Sequence, residues 1–270
     1  MEKRQNNRVG SERPKRTFHT TTPKKTYEKG AMVFGVQSVT ETLRSEKEID
    51  KILLLRDFGH AEIEQLARQR GIPTQRVPNE KLNTITGKNH QGVIAFVSAI
   101  NYARLSNVVA DAFESGEMPL LLVLDRITDV RNFGAITRTA ECLGVHGVVV
   151  PTRGAAQINA DAMKTSSGAL NHLPVCREND LLVAIEEMQQ SGFQVIACTE
   201  KAQGLVYQTE FTTPTAIVMG SEEDGISPEI LAKCDGVVKL PMTGKIESLN
   251  VSVATGMILY EVVRQRNLAV

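Results

Sequence analysis

The second half of the chain repeats short, mostly apolar runs that are separated by stretches with helical spacing. The first run, Leu120–Leu124, consists entirely of aliphatic residues. A strand covered by helices on both faces has such a sequence, whereas a strand with one solvated face alternates apolar and polar residues. The later runs lie at 147–150, 193–197, 215–219 and 237–240. This pattern predicts an α/β fold with a mostly parallel sheet flanked by helices.

A smaller α/β unit precedes this region. Strand-like segments at 49–55 and 92–97 flank a helical stretch at 61–70, which ends at a Gly-Ile-Pro break. A chain of 270 residues is long enough for two domains. The expected division is a basic tail at 1–30, the small domain at 31–98, a linker at 99–117 and the larger domain at 118–270.

Charge is distributed unevenly, although the formal net charge is zero. Residues 1–30 contain nine Lys or Arg against three Glu, a net charge of +6, so the remaining residues carry −6. This tail has little to bury and is expected to be disordered. Mobile basic residues suit contact with nucleic-acid phosphates, and the alternative is that they only improve solubility. If the chain binds a nucleic acid, we expect the phosphates to contact this tail or Arg126, Arg131, Arg138 and Arg153.

Several classes of protein are excluded by what the sequence lacks. It has no apolar run of the roughly 20 residues needed to cross a bilayer and no secretory signal, so we expect a cytoplasmic protein without a membrane partner. It also lacks the glycine motifs of P-loop and dinucleotide-binding proteins. The cysteines are too scattered to predict a metal site or a disulfide framework, and they lie at positions 142, 176, 198 and 234.

Polar segments follow three of the predicted strands, at the edge of a parallel sheet where ligands collect. In the first, Asn132 and Gly134 suit a turn or a helix start, and Arg138 follows six residues after Asn132. An arginine presents a fixed fork of donors that suits phosphate or carboxylate. The alternative is that Arg138 only extends into water from a helix surface.

The second polar segment, 220–228, follows the strand at 215–219. Gly220 and Gly225 permit tight turns and close approach of a ligand. The three acids between them, at 222–224, would repel a nucleotide polyphosphate. Ser227 and Pro228 are typical of a helix N-cap and first turn.

The third segment, 240–250, leads into the C-terminal helix. Leu240, Met242 and Leu249 could form an apolar slot for an adenine or a thioether. Ser248 is a good N-cap, and the hydroxyl and amide groups that follow it are unusual for a core helix. Helical spacing predicts one buried face, which comprises Leu249, Val253, Met257, Tyr260 and Val263.

Taken together, the three segments resemble the motifs of the SpoU (TrmH-like) family of RNA ribose 2′-O-methyltransferases. The matching residues are Asn132-x-Gly134-Ala135-x-x-Arg138, Gly220-x-Glu222-x-x-Gly225, and Leu240-Pro241-Met242 with Ser248–Ala254. Residues 33–39 and 90–95 resemble the L30e-type substrate-binding domain of the branch that methylates guanosine in 23S rRNA. The resemblance covers residues 32–270.

The resemblance implies a C-terminal domain tied in a trefoil knot, S-adenosyl-L-methionine as cofactor, no metal, and a homodimer with its active sites near the subunit interface. It implies a catalytic group of Arg138, Asn132, Glu222, Ser248 and Asn250, in which Arg138 helps to activate the ribose hydroxyl. The implied cofactor contacts are Gly220, Leu240, Met242 and Leu249. The implied partner is RNA, most directly 23S rRNA. Two alternatives stay open: methylation of a tRNA guanosine, and a non-catalytic RNA-binding or ribosome-assembly role.

Overall fold

The computed structural model describes residues 32–57, 59–246 and 248–268. The basic tail expected at 1–30 therefore lies outside the described residues. Within the described ranges, no helix is long and apolar enough to span a bilayer.

The N-terminal part of the described chain forms a mixed four-stranded sheet of order β1-β4-β2-β3. Strand β4 pairs antiparallel with β1 and with β2, whereas β2 pairs parallel with β3. The predicted strand at 49–55 is confirmed, and the predicted helix at 61–70 ends one residue earlier. The elements are β1 (Met32–Phe34), α1 (Val36–Arg44), β2 (Ile49–Leu55), α2 (Ala61–Gln69), β3 (Thr74–Val77), α3 (Asn79–Ile85) and β4 (Val93–Val97).

The C-terminal part contains a seven-stranded sheet of order β7-β6-β5-β10-β8-β11-β9, in which every pairing is parallel. The predicted α/β class is confirmed. Strands β5 and β10 lie at its centre, and all their residues are buried because helices cover both faces. The strands are β5 (Leu120–Asp125), β6 (Gly147–Pro151), β7 (Val175–Glu178), β8 (Gln194–Cys198), β9 (Gly204–Leu205), β10 (Thr215–Gly220) and β11 (Gly236–Lys239).

The helices of this part cover the sheet and bring the polar segments together. One of them lies inside the expected linker, where its Leu105, Val108 and Val109 pack into the apolar core beneath the large sheet. The expected linker thus contributes a helix to that core. The helices are α4 (Leu105–Glu114), α5 (Val130–Cys142), α6 (Ala160–Thr165), α7 (Leu181–Gln190), α8 (Pro228–Lys233) and α9 (Val251–Leu268).

The predicted buried face of the C-terminal helix α9 is wrong. Leu249, Val253, Met257 and Tyr260 are 39%, 51%, 44% and 62% exposed, and Val263 is half-buried. The face turned to the core instead comprises Val251, Thr255, Ile258, Leu259 and Val262. Apolar residues occur on more than one side of α9, so spacing alone could not decide which side meets the sheet. An apolar stripe is therefore left uncovered on a single chain.

The two sheets meet at a polar junction centred on Arg177 of β7. Its Nη1 donates a hydrogen bond of 3.1 Å to the carbonyl oxygen of Ile49 and lies 3.6 Å from Oδ1 of Asp50. The guanidinium stacks 4.1 Å from the ring centroid of Tyr102, whose hydroxyl donates to Asp50 at 2.7 Å. These groups are largely buried. Through them, Arg177 connects β7 of the large sheet to Ile49 and Asp50, the first two residues of β2.

Candidate functional site

A cavity of about 480 Å³ opens at the carboxyl ends of β8, β10 and β11. All the predicted cofactor contacts, Gly220, Leu240, Met242 and Leu249, line it. The sequence runs that end at 197, 219 and 240 are neighbouring strands in space, so the loops that follow them share this edge.

One wall of the cavity was not predicted from the sequence. Cys198, Thr199, Glu200 and Lys201 line it at the end of β8. The signal was available, since the apolar run at 193–197 ends in polar residues like the other runs. It carried no recognised motif, and only the strand order shows that β8 lies next to both β10 and β11.

Gly220 permits a close approach of backbone to backbone. A Cβ atom at this position would lie 2.2 Å from the carbonyl carbon of Gly225 and from the nitrogen of Ile226. The loop after β10 folds back here, because Ser221 and Gly225 exchange two backbone hydrogen bonds of 3.1 and 3.0 Å. The glycine thus allows the acidic loop to close on itself and form the cavity wall.

Asn132, Glu222 and Asn250 meet at the edge of the cavity, although they come from three separate segments. The amide nitrogen Nδ2 of Asn250 donates to Oδ1 of Asn132 at 3.0 Å and to Oε1 of Glu222 at 2.7 Å. These hydrogen bonds orient the side-chain amides of Asn132 and Asn250. We call these three residues the polar cluster.

Asn250, and not Ser248, caps helix α9. The helix begins at Val251, and Oδ1 of Asn250 accepts hydrogen bonds from the backbone nitrogen and the hydroxyl of Ser252, at 3.0 and 2.5 Å. The predicted N-cap at Ser248 is therefore wrong. Asparagine is as good a cap as serine, so the sequence contained two candidates two residues apart. Ser248 is exposed and lines the cavity.

The first segment starts its helix earlier than expected. The Asp129 side chain caps α5 by accepting a 2.8 Å hydrogen bond from the backbone nitrogen of Asn132, so Asn132 lies in the first turn. Arg138 is exposed on the same helix and lines neither cavity beside the polar cluster. Six residues turn a helix by about 240° and advance it by roughly 9 Å, which carries Arg138 away from Asn132. Among the described residues, its side chain has no hydrogen bond or ion pair.

Arg126 connects the first and second segments. It adopts a left-handed backbone conformation with a φ of 59°, and its guanidinium reaches Asp125 at 3.2 Å, Asp224 at 3.1 Å and the carbonyl oxygen of Gly225 at 3.1 Å. The hydrogen bond with Asp125 raises the pKa of Arg126 above its ordinary value. The buried Asp125 also accepts a hydrogen bond of 2.7 Å from the backbone nitrogen of Ser227. Arg126 thus uses its donors within the protein to hold the acidic loop.

The cavity is rich in negative charge. Glu200, Glu222, Glu223 and Asp224 line it, with Lys201 as the basic residue of the lining. The same carboxylates repel polyphosphates and favour a ligand that carries positive charge. Within the described ranges, no group of His, Cys, Asp and Glu side chains is arranged to hold a metal ion.

Comparisons with known proteins agree with this geometry. Residues 119–260 match the model of the SpoU rRNA methylase family, and residues 32–103 match that of the RNA 2′-O ribose methyltransferase substrate-binding domain. A putative TrmH family tRNA/rRNA methyltransferase, YacO of Bacillus subtilis, is 39% identical over 87% of this chain and 96% of its own length. The 23S rRNA (guanosine-2′-O-)-methyltransferase RlmB of Ralstonia nicotianae is 37% identical over 88% and 97%.

A solved structure supports the same relationship. The SpoU methyltransferase AviRb from Streptomyces viridochromogenes, crystallised with the cofactor AdoMet, superposes with a TM-score of 0.57 at 27% identity and covers 88% of this chain and 90% of its own. The expected cofactor, S-adenosylmethionine, is confirmed as that of the family. The motif resemblance, the fold and the substrate-binding domain all lead to one assignment: the chain belongs to the SpoU family of RNA methyltransferases.

Proposed function

We propose that this protein transfers a methyl group from S-adenosylmethionine to the ribose 2′-hydroxyl of a guanosine in 23S rRNA, in the cytoplasm. The observation that carries the proposal is the position of the polar cluster at the edge of the cavity that holds every predicted cofactor contact. A binding site and a set of orienting groups thus adjoin each other at one end of the sheet.

The residues of the cavity fit S-adenosylmethionine. Leu240, Met242 and Leu249 offer apolar contact for an adenine or a thioether, and Glu200 at the end of β8 is suited to accept hydrogen bonds from ribose hydroxyls. The excess of carboxylates complements a sulfonium and an ammonium group. A volume of about 480 Å³ falls within the range of small-molecule sites. When bound, this cofactor supplies an electrophilic methyl group on a positively charged sulfur.

The protein is proposed to act as a homodimer in which α9 contributes to the interface. The exposed stripe of Leu249, Val253, Met257 and Tyr260 supports this, since a run of large apolar side chains in water is unfavourable. The stripe begins at the cavity wall, because Leu249 also lines the cavity. The resemblance further implies a trefoil knot around the cavity, and we include this topology in the proposal.

Arg138 is proposed to act in the site of the partner copy. Its exposure and its separation from the polar cluster of its own chain support this assignment. Helix α5 packs beside α9, since a Cβ at Gly256 would lie 3.5 Å from Cγ2 of Thr139, the residue after Arg138. Arg138 therefore lies next to the helix that carries the apolar stripe.

The residues of the chain have separable roles in the proposed reaction. Leu240, Met242 and Leu249 would hold the cofactor, which would supply its methyl group to the ribose hydroxyl oxygen, with the hydroxyl proton released to solvent water. A guanidinium is a poor base, so Arg138 acts with an RNA phosphate to orient the hydroxyl and stabilise developing charge. The polar cluster holds the start of α9 and the acidic loop in a fixed relation to the cavity.

Cofactor binding and turnover test the proposal directly. Calorimetry should detect S-adenosylmethionine binding to the purified protein, and its absence would favour a non-catalytic RNA-binding or assembly role. Arg138→Ala should abolish methyl transfer to rRNA while cofactor binding and dimer mass stay unchanged. Full residual activity of that variant would contradict the role of Arg138.

Mixed dimers decide whether Arg138 acts across the interface. A dimer of one Arg138→Ala subunit and one Asn250→Asp subunit has one site with both changes and one intact site if Arg138 acts in trans. Mixing the two inactive variants should then restore roughly one quarter of wild-type activity. No recovery would mean that Arg138 acts within its own subunit.

The substrate follows from mapping 2′-O-methyl positions in RNA from cells with and without the protein. We expect the loss of methylation at a guanosine of 23S rRNA, by analogy with the Ralstonia relative. Loss at a tRNA guanosine would instead support the alternative substrate. Unchanged maps of both RNAs would contradict the enzymatic proposal.

A further inference from the structure

A polar groove leads from the polar cluster to the junction of the two sheets. A second cavity, of about 330 Å³, lies beside the one that contains the predicted cofactor contacts. The two share the loop Ser221–Asp224, and the second is also lined by Asn132 and Gly154. Gly154 in turn lines a cavity of about 480 Å³ at the junction, beside Tyr102 and Arg177. Neighbouring cavities along this line thus have lining residues in common.

The groove ends between the two domains, in a cavity of about 480 Å³ that has Thr74 and Arg153 in common with the junction cavity. One wall carries Arg68 of α2, from the N-terminal domain, and the other carries Arg153, from the turn after β6. We call this end the interdomain groove.

Arg68 and Arg153 are both exposed cations without a counter-ion. Among the described residues, neither side chain has an ion pair or a hydrogen bond. Glu64 also lines this cavity, but its carboxylate forms an ion pair with Arg76 at 2.5 Å. Two guanidinium groups that line one cavity repel each other, and an anion between them would remove this cost. Their placement therefore favours binding of a phosphodiester group.

Short contacts hold the Arg153 turn in place. The backbone nitrogen of Thr152 donates to the carbonyl oxygen of Glu178 at 2.8 Å, and that of Ala156 donates to the carbonyl oxygen of Ile127 at 2.8 Å. Gly154, with a φ of 81°, forms the bend between these anchors. The turn is thus anchored at both ends and holds Arg153 at a defined position. The hydrogen bond from Arg177 to the carbonyl oxygen of Ile49 attaches the N-terminal domain to the large sheet beside it.

We propose that the interdomain groove binds the RNA backbone beside the target nucleotide, with Arg68 and Arg153 contacting phosphates from the two domains. This inference rests on the proposed function and adds the path of the substrate. The two cations support RNA as the occupant because its backbone is a polyanion, and cavities with common lining residues link the groove to the polar cluster. The cavity nearest the polar cluster is lined by Asp129, Glu222, Glu223 and Asp224, so the phosphate contacts are expected at the arginine end. The chain has only 4% aromatic residues, which also favours recognition of backbone and shape over base stacking.

Salt-dependent binding of a fluorescein-labelled RNA hairpin tests the groove without requiring turnover. Each of Arg68→Ala and Arg153→Ala should weaken binding on the order of tenfold, as expected for loss of a hydrogen bond to a charged group. Each should also lower the slope of log affinity against log salt by about one. The matched control is Arg104→Ala, since Arg104 is exposed and lines none of these cavities.

The outcomes separate this inference from the proposed function. Affinities and slopes equal to those of Arg104→Ala would overturn the groove, and so would a wild-type protein that does not bind the hairpin. If the two arginine variants lose affinity but the wild type methylates no RNA, the groove stands and the proposed function fails. Thermal unfolding of each variant at the wild-type temperature should confirm that the fold is retained.

Discussion

The cavity that contains the predicted cofactor contacts and the interdomain groove differ in charge and in construction. The cavity is lined by four carboxylates and is built from loops of one sheet. The groove carries two guanidinium groups that are unpaired among the described residues, and it is built from two domains. Under the proposed function, the cationic cofactor and the RNA backbone therefore bind at separate sites of opposite charge. Arg126, beside the acidic loop, is paired with Asp125 and Asp224.

Gly220→Ala should have the largest effect and should damage the cavity alone. The added methyl would lie 2.2 Å from backbone atoms of the acidic loop, so the loop must move. We expect loss of measurable S-adenosylmethionine binding by calorimetry and a stability loss of about 3 kcal/mol in urea denaturation. The control is Gly87→Ala, where a Cβ meets nothing within 4 Å. Normal cofactor affinity in Gly220→Ala would show that the loop closure is not needed.

Arg177→Ala should damage the groove side alone. Its guanidinium is 13% exposed and faces the 10% exposed Asp50, so removing it leaves a nearly buried carboxylate unpaired. Unfolding stability should fall by roughly 3 kcal/mol and RNA affinity should fall with it, while cofactor binding stays near the wild-type value. Equal loss of cofactor affinity would contradict the separation of the two sides.

The pH dependence of the same variant gives an independent test. Burial raises the pKa of the Asp50 carboxyl above its ordinary value, and the hydrogen bond from Tyr102 and the charge of Arg177 oppose that rise. The pKa of Asp50 is therefore higher in the folded state than in the unfolded state. At pH values between these two pKa values the folded state binds more protons, so stability falls as pH rises through this window. Removing Arg177 raises the folded-state pKa of Asp50 further, so the window extends to higher pH. The stability deficit should therefore be larger at pH 8 than at pH 5, and Asp50→Asn should reduce it in the Arg177→Ala background.

Substitutions of Asn250 test the boundary between the two regions. Asn250→Ala removes both the helix cap and the bonds to Asn132 and Glu222, so it should cost about 1 kcal/mol of stability as well as activity. Asn250→Asp keeps an acceptor for the cap but places a carboxylate against Glu222. It should lose less stability than Asn250→Ala, because the cap is kept and the repulsion between two exposed carboxylates is screened by solvent, and it should lose about a hundredfold in turnover, as when an orienting group is lost. Unchanged turnover in Asn250→Asp would assign Asn250 to capping alone.

Thiol labelling should produce the smallest effect, with no change in stability. Burial raises the pKa of Cys176, in the core beneath the large sheet, and of Cys198, in the cavity wall, to about 12. Burial likewise raises the pKa of Cys234 to about 12. A disulfide reagent at pH 8 should therefore react rapidly only with the exposed Cys142, and Cys142→Ser should remove the fast phase. Fast reaction of Cys198 but not Cys176 would mean that the cavity wall opens more readily than the core.

The sheet was predictable because its strands are encoded locally. Five mostly apolar runs gave β5, β6, β8, β10 and β11 to within one or two residues. The pattern is clearest in β5 and β10, because a strand buried on both faces is almost entirely apolar. Strand β7 (Val175–Glu178) was missed because it is short and ends in charged residues. Its Arg177 is polar for a tertiary reason, the contact with Asp50 and Ile49.

The candidate site was predictable where a motif carried it and not elsewhere. Asn132, Glu222 and Asn250 were named from their segments, but the hydrogen bonds between them needed the fold. Glu200 lay outside every motif and was missed. The face of α9 was wrong because packing, and not periodicity, selects among several apolar sides of one helix.

By itself, the sequence determined the α/β class, the strands that become fully buried and the identity of the polar segments at their ends, because these depend on the local pattern of apolar and polar residues. Only the tertiary structure decided which strands are neighbours, which amide caps α9, and that Arg68 and Arg153 line the same cavity. These features depend on contacts between residues far apart in the chain, and long-range packing energies leave no periodic trace in the sequence.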